Sequence, residues 1–227
     1  MDPAEEQRWN AEALAGGVDL PAVRVWTYDR AAVVLGRSQR ADDAHAARAR
    51  RAGVDLYERA TGGGAVLVGP WMLAASVVLP PDHPLVDRSI AASYEWIGEA
   101  HASWLRDAGI PARIVPRPTD PGELRWACFA GRSHGEVEVD GRKIVGLAQA
   151  RRRAGVLFSA GMLLSTPAWE VLCDVMGKPA EAARSLEERT TSCVPFVGKV
   201  SVAGAACGVL ARLSAAVTGG GSAIRVA

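Results

Sequence analysis

The chain is poor in the features that mark several large functional classes. Across 227 residues no stretch approaches the roughly 20 consecutive apolar residues needed to cross a bilayer. Met1 to Gln7 is acidic, where a secretory leader would be basic and then apolar. Both absences point to a cytoplasmic protein with no membrane contact. Charge of one sign is also missing in excess: 26 lysines and arginines face 25 acidic residues, so no global field would hold the protein on nucleic acid or an anionic surface. Four cysteines, Cys128, Cys173, Cys193 and Cys207, include no pair at two-residue spacing, which excludes a zinc knuckle and a thioredoxin-type motif and leaves no metal site to expect. Cys173 and Cys207 fall in apolar helical patterns and read as small buried hydrophobes.

What is present is enough apolar material for a core. Hydrophobic residues make up 49% of the chain, and single cores are common up to about 250 residues, so one domain over residues 1–227 is expected. Helical patterns at Pro3–Ala15, Asp42–Ala52, Pro167–Met176, Glu181–Arg189 and Val202–Val217 are interleaved with short strands at Val23–Thr27, Ala32–Leu35, Ala112–Val115 and Gly155–Leu164. The apolar run Trp71–Leu79 suits a buried strand. Ser89 can cap a helix running through Trp96 and Trp104 to Ala108, with Gly109 as its stop. Strands mixed with packed helices indicate an α+β or α/β sandwich.

Three constellations can carry chemistry. In Arg59-Ala-Thr61-Gly62-Gly63-Gly64-Ala65-Val66 the glycines leave backbone N–H groups open and permit positive φ, so the loop can wrap a phosphate, a carboxylate or a narrow acyl chain, with Arg59 pairing an anion at its edge. The lysine and hydroxyl of a phosphate-binding P-loop are absent, and a structural glycine turn is the other reading. In Gly135-Glu-Val-Glu-Val-Asp-Gly-Arg-Lys143-Ile-Val-Gly146 the Asp140-Gly141 pair signals a two-residue hairpin. That hairpin sets Val139 opposite Arg142 and Glu138 opposite Lys143, with Gly146 and Gln149 further along. Lys143 can stabilise charge on a carbonyl or phosphate oxygen, or be held in a cross-strand ion pair with Glu138. Cys128, in Trp126-Ala-Cys-Phe-Ala-Gly131, is either a nucleophile, its thiolate favoured by a cation such as Lys143, or an inert buried thiol.

In order and spelling these motifs resemble the lipoate ligase and octanoyltransferase family, related to biotin ligase catalytic domains. Asn10-Ala-Glu-Ala-Leu14 is similar to its opening helix, and Arg24-Val-Trp26 with Ala32-Val-Val-Leu-Gly-Arg-Ser-Gln39 to its first strand pair. Arg59 to Val66 resembles its arginine and triple-glycine loop, and Gly141 to Gln149 its lysine-bearing hairpin. The likeness is strongest over residues 10–164 and fades after Leu164.

The resemblance implies a mixed sheet flanked by helices, of the class II synthetase and biotin or lipoate ligase kind. It places an acyl tunnel beside the triple glycine, with Lys143 on the activated carbonyl. It also implies lipoate or octanoate as the transferred group and lipoyl-domain proteins as acceptors. Ligases of the family use ATP and magnesium. Octanoyltransferases take a thioester from acyl carrier protein and need no cofactor, and one branch passes the acyl group through a cysteine placed as Cys128 is. That branch is favoured here by Cys128 and by a chain too short for a ligase accessory domain. The sequence departs from the family at Leu67-Val68 and at Ser159-Ala-Gly161, where many members carry histidines, so no base for lysine attack can be assigned. His134 is the candidate nearest Cys128 in sequence, and Arg151-Arg-Arg153 is either a solvated turn or a docking point for acidic partners.

Overall fold

The computed structural model describes residues 1–86 and 89–219, and the backbone of 225–226. Its helices are α1 (Pro3–Ala15), α2 (Asp43–Ala52), α3 (Glu95–Asp107), α4 (Trp169–Val175), α5 (Glu181–Arg189), α6 (Val194–Val197) and α7 (Val202–Thr218). The strands are β1 (Ala22–Thr27), β2 (Ala32–Leu35), β3 (Asp55–Glu58), β4 (Val66–Val68), β5 (Met72–Leu79), β6 (Arg113–Ile114), β7 (Val137–Val139), β8 (Arg142–Arg152), β9 (Gly155–Leu163) and β10 (Arg225–Val226).

Local chemistry explains most boundaries. Asp2 accepts from the Ala4 amide and Pro3 opens α1, while Asp42 accepts from the His45 amide and Gly53, at φ 68°, closes α2. Asp140 and Gly141 have φ of 49° and 74°, the geometry of a type I′ turn, and the register pairs Val139 with Arg142 and Glu138 with Lys143 as the dipeptide predicts. Around Ser89 the structure differs from expectation: its hydroxyl accepts from the Ala92 amide, but only a 3-10 turn at Ala92–Tyr94 follows, and α3 starts at Glu95. The Ser93 hydroxyl donates back to the Ser89 carbonyl and also receives Arg151, local bonds that compete with a regular first turn.

The larger sheet runs β10-β1-β5-β9-β8-β7-β6, and a smaller one runs β3-β2-β4. β2 pairs parallel to β3 and antiparallel to β4, and β1 pairs parallel to β10 and antiparallel to β5, so both sheets are mixed and the class is α+β. β5 is buried at every position. Its Leu73, Ala75, Val77 and Leu79 face one core with α3 and α7, while Met72 and Ala74 face a second, with the small sheet, α4 and α5. Two-sided burial is why this strand reads as an unbroken apolar run. α7 buries Ala205, Val209, Leu213 and Val217, a stripe with a spacing of four; Cys207 lies off it and is exposed, contrary to the buried role its pattern suggested. Cys173 is buried, as is Cys193, and burial pushes their thiols up to about 11 and 12. Among the described residues no helix is long and apolar enough to cross a membrane.

His101 is fully buried in α3, with Nδ1 2.7 Å from the Ile97 carbonyl and Nε2 without a partner among the described residues. Burial lowers its pKa from 6.5 to about 4. Between those values the unfolded chain binds the proton more readily, so stability falls as pH drops from 6.5 towards 4, by on the order of 3 kcal/mol in total. Urea titrations at pH 7 and pH 4.5 should therefore show a larger acid loss for the wild type than for His101→Leu; equal losses would remove His101 from the acid response.

Candidate active site

The triple-glycine loop joins β3 to β4, and its glycines have unlike surroundings. A Cβ on Gly62 would meet nothing within 4 Å. On Gly63, at φ 99°, it would lie 2.8 Å from the Arg59 guanidinium, and on Gly64 it would fall 2.5 Å from the Trp126 carbonyl oxygen. A Cβ on Gly36, just after β2, would stand 1.8 Å from the Gly63 oxygen. The last two glycines thus allow backbone-to-backbone contact between the loop, the end of β2 and the segment before Cys128. The Ala65 amide donates to the Trp126 carbonyl at 2.7 Å, and the Cys128 amide donates to the Ala65 carbonyl at 2.9 Å. Gln39 completes the clamp, accepting from the Gly36 amide and donating to the Trp126 carbonyl, each at 3.0 Å.

Arg59, at the exit of β3, turns back over this loop. One guanidinium nitrogen donates to the Gly62 and Gly64 carbonyls at 2.9 and 3.0 Å and lies 3.7 Å from Cys128 Sγ. Arg59, Thr61, Cys128 and Gly146 line a cleft of about 520 Å³, counting its open mouth, whose remaining wall is largely apolar, with Val34, Val66 and Met72 among its residues. Gly161 belongs to the same wall, and a Cβ there would come within 3.0 Å of Met72 Sδ. Of the expected site residues, Gly62, Gly63, Gly64, Ala65, Lys143 and Gln149 do not line the cleft: Gly62 and Gly63 are exposed, Gln149 is half-buried, and Gly64, Ala65 and Lys143 are buried, with Gly64 packed on the Trp126 carbonyl. Gln149 Nε2 donates to the Ile90 carbonyl, and its own carbonyl lies 3.5 Å from the Gly62 amide.

Lys143 is buried, and its ammonium donates to the Cys128 and Gly131 carbonyls, each at 2.9 Å, and pairs with Glu136 at 2.6 Å. The expected ion pair with Glu138 is not formed although the register is right: Glu138 is taken by Arg113, at 2.8 Å, and by Arg132. The loop before β7 delivers Arg132, which lies outside the hairpin segment, and Glu136, which lies inside it but is paired with Lys143 by no turn rule.

The cleft also has a polar flank that motif reading missed. Glu6 of α1 accepts from Tyr28 at 2.5 Å and from Asn10 at 3.5 Å. Burial raises the Glu6 carboxyl, and burial together with Glu6 holds the Tyr28 hydroxyl well above 10. Asn10 Oδ1, Arg59 Nε and Thr61 Oγ1 have no hydrogen-bond partner among the described residues. No sequence motif marks Glu6, because helical burial of an acid appears only once the cleft is assembled. His134 bonds Glu95 at 2.7 Å and does not line the cleft. Arg151 folds onto Gln149 and Ser93, at 2.9 and 2.8 Å, leaving Arg152 and Arg153 exposed.

Comparison with known proteins places this geometry. Octanoyltransferase LipM of Kyrpidia tusciae is 35% identical over 179 residues, 75% of this chain and 64% of the relative. Octanoyltransferase LipM of Moorella thermoacetica is 34% identical over 169 residues, 72% of this chain and 60% of the relative. The chain thus spans less than two thirds of these relatives' length. A crystal structure of lipoate-protein ligase A bound with ATP superposes with a TM-score of 0.74 at 26% identity, covering 100% of this chain and 83% of the ligase. Residues 3–205 match the lipoyl protein ligase A/B catalytic domain, well past Leu164 where the motifs fade. With the arginine and triple-glycine loop, the lysine hairpin and the cleft between them in one fold, the chain belongs to the lipoyl protein ligase A/B catalytic domain family.

Proposed function

We propose that this protein is an acyltransferase that moves an octanoyl or lipoyl-type group from the thioester of acyl carrier protein, through Cys128, to a lysine of a lipoyl domain. The observation that carries the reading is the thiol of Cys128 on the wall of a largely apolar cleft, beside the Arg59 guanidinium and held there by backbone bonds to the triple-glycine strand. The octanoyltransferase relatives support octanoyl transfer as the overall reaction. In the first step the Cys128 thiolate attacks the donor carbonyl, the donor carbon–sulfur bond breaks, and the donor sulfur leaves to take up a proton. In the second, the acceptor amine attacks the Cys128 thioester, the amide bond forms, and the nitrogen's proton ends on the released thiolate. No redox change or nucleotide enters either step. Arg59 and Thr61 share this wall with Cys128, and their Nε and Oγ1, buried and without a partner among the described residues, are the donors available to carbonyl charge.

The ATP-bound ligase likeness favours one second reading, adenylation of free lipoate with ATP and magnesium. Intact-mass analysis decides between them: octanoyl-acyl carrier protein alone should add one octanoyl group to the enzyme and then pass it to a lipoyl domain. Transfer only with lipoate and Mg-ATP would establish the ligase reading, and acyl binding without either product would indicate a binding subunit of a split ligase. Lys143→Ala is expected to lower turnover by about a hundredfold, because its ammonium holds the Cys128 and Gly131 carbonyls and its loss would displace the thiol from the cleft wall.

A further inference from the structure

Glu136 opens the hairpin segment 135–146, where the sequence pattern gives it no partner, yet it is among the most heavily bonded side chains near the site. It is buried and receives three donors: the Lys143 ammonium at 2.6 Å, the Ser133 amide at 2.7 Å and the Leu147 amide at 3.0 Å. These come from the loop before β7, from the start of β8 and from the middle of β8, next to the register shift between Val137 and Glu138. Lys143 in turn spends its other two protons on the carbonyls of Cys128 and Gly131. An unbroken chain therefore runs from Glu136 through the ammonium to the backbone of the nucleophile. Lys143 is 1% exposed, and a buried cation is costly to the fold unless an opposite charge lies against it, as Glu136 does.

The geometry around the site adds a constraint. Gly146 is on the cleft wall, and a Cβ there would meet Lys143 Cε and the Phe129 ring, each at 3.2 Å. The lysine stem therefore runs directly behind the wall, one carbon layer from the cleft, with its head turned away to Glu136. We infer that Glu136 is a positioning residue: it anchors the Lys143 ammonium beneath Cys128 and so sets the placement and reactivity of the thiol. It acts through Lys143 and touches no substrate. The inference rests on Cys128 being the nucleophile, and its test reads thiol and amine reactivity directly, so that failure of the transfer reaction and failure of the anchor are separable.

The experiment uses the full chain carrying Cys207→Ser, which removes the exposed thiol. Alkylation of Cys128 by iodoacetamide at pH 7 is followed by mass spectrometry in Glu136→Gln, Lys143→Met and the double variant. Each single change should slow alkylation about tenfold, and the double variant should be no slower than Lys143→Met, because residues in one chain of contacts are non-additive. Wild-type rates in Glu136→Gln, or single effects that multiply, overturn the inference. A second measurement stands apart from Cys128: acetylation at neutral pH should spare Lys143 in the wild type while modifying Lys178 and Lys199, and should reach Lys143 in Glu136→Gln. Equal protection of Lys143 in both proteins overturns it as well. Should Glu136→Gln fail to fold, Glu136→Asp, which keeps the charge but withdraws it by one methylene, is expected to expose Lys143 in the same assay, and protection there counts against the anchor.

Discussion

Cys128→Ala should abolish the acyl-enzyme and reduce octanoyl transfer by on the order of a thousandfold or more, the scale seen when a covalent nucleophile is removed. The other cysteines offer no substitute. Cys173 and Cys193 are buried with thiols pushed up to about 11 and 12, so neither supplies thiolate at neutral pH, and Cys207 lies on the outer side of α7. Incubation with octanoyl-acyl carrier protein should thus add a single octanoyl group that neutral hydroxylamine removes, and the adduct should be missing in Cys128→Ala. Cys128→Ser is the sharper control: it keeps the cleft and the backbone clamp but gives a more stable ester, so acyl-enzyme should accumulate slowly and turn over poorly. Full transfer by Cys128→Ala would refute covalent catalysis and leave direct attack or the adenylate route.

How much of this arrangement the sequence discloses depends on the range of the interaction. The hairpin was legible because Asp140-Gly141 dictates its own turn, and the register of Glu138 with Lys143 follows from that dipeptide without reference to the rest of the chain. The partner of Lys143 was not, since Glu136 reaches it through a register shift and a loop that also brings Arg132 to Glu138. β3 and β4, which flank the glycine loop, are short, and β3, Asp-Leu-Tyr-Glu, lacks the apolar run that marks the equally short β2. Their pairing with β2 is fixed by tertiary contact. The role of the glycines shows the same division: composition announces an open backbone, whereas the atoms that need it, the Trp126 carbonyl and the Arg59 guanidinium, come from elsewhere in the chain.

That division makes the three glycines experimentally distinguishable, and the largest structural effect is expected at the last of them. Gly62→Ala should be close to neutral, because its Cβ would meet no atom within 4 Å and its φ is not in the left-handed region. Gly63→Ala must adopt a φ of 99° and press on Arg59, whose guanidinium can swing away from Cys128, so activity should fall while the fold persists. Gly64→Ala has no such outlet. Its Cβ would sit 2.5, 2.6 and 2.8 Å from backbone atoms of Trp126 and Ala127, which cannot rotate aside, so the strand must separate from the segment that carries Cys128. The bonds between Ala65 and Trp126 and between Cys128 and Ala65 would be lost with it. Two buried backbone bonds and the displaced contacts together should cost about 2–4 kcal/mol of stability. Octanoyl transfer should drop by roughly a hundredfold or more as the thiol leaves its place beside Arg59. Thermal melts and single-turnover acylation of the three variants give the ranking directly. If Gly62→Ala proves as damaging as Gly64→Ala, the loop's glycines serve the bound acyl group rather than the clamp on Cys128.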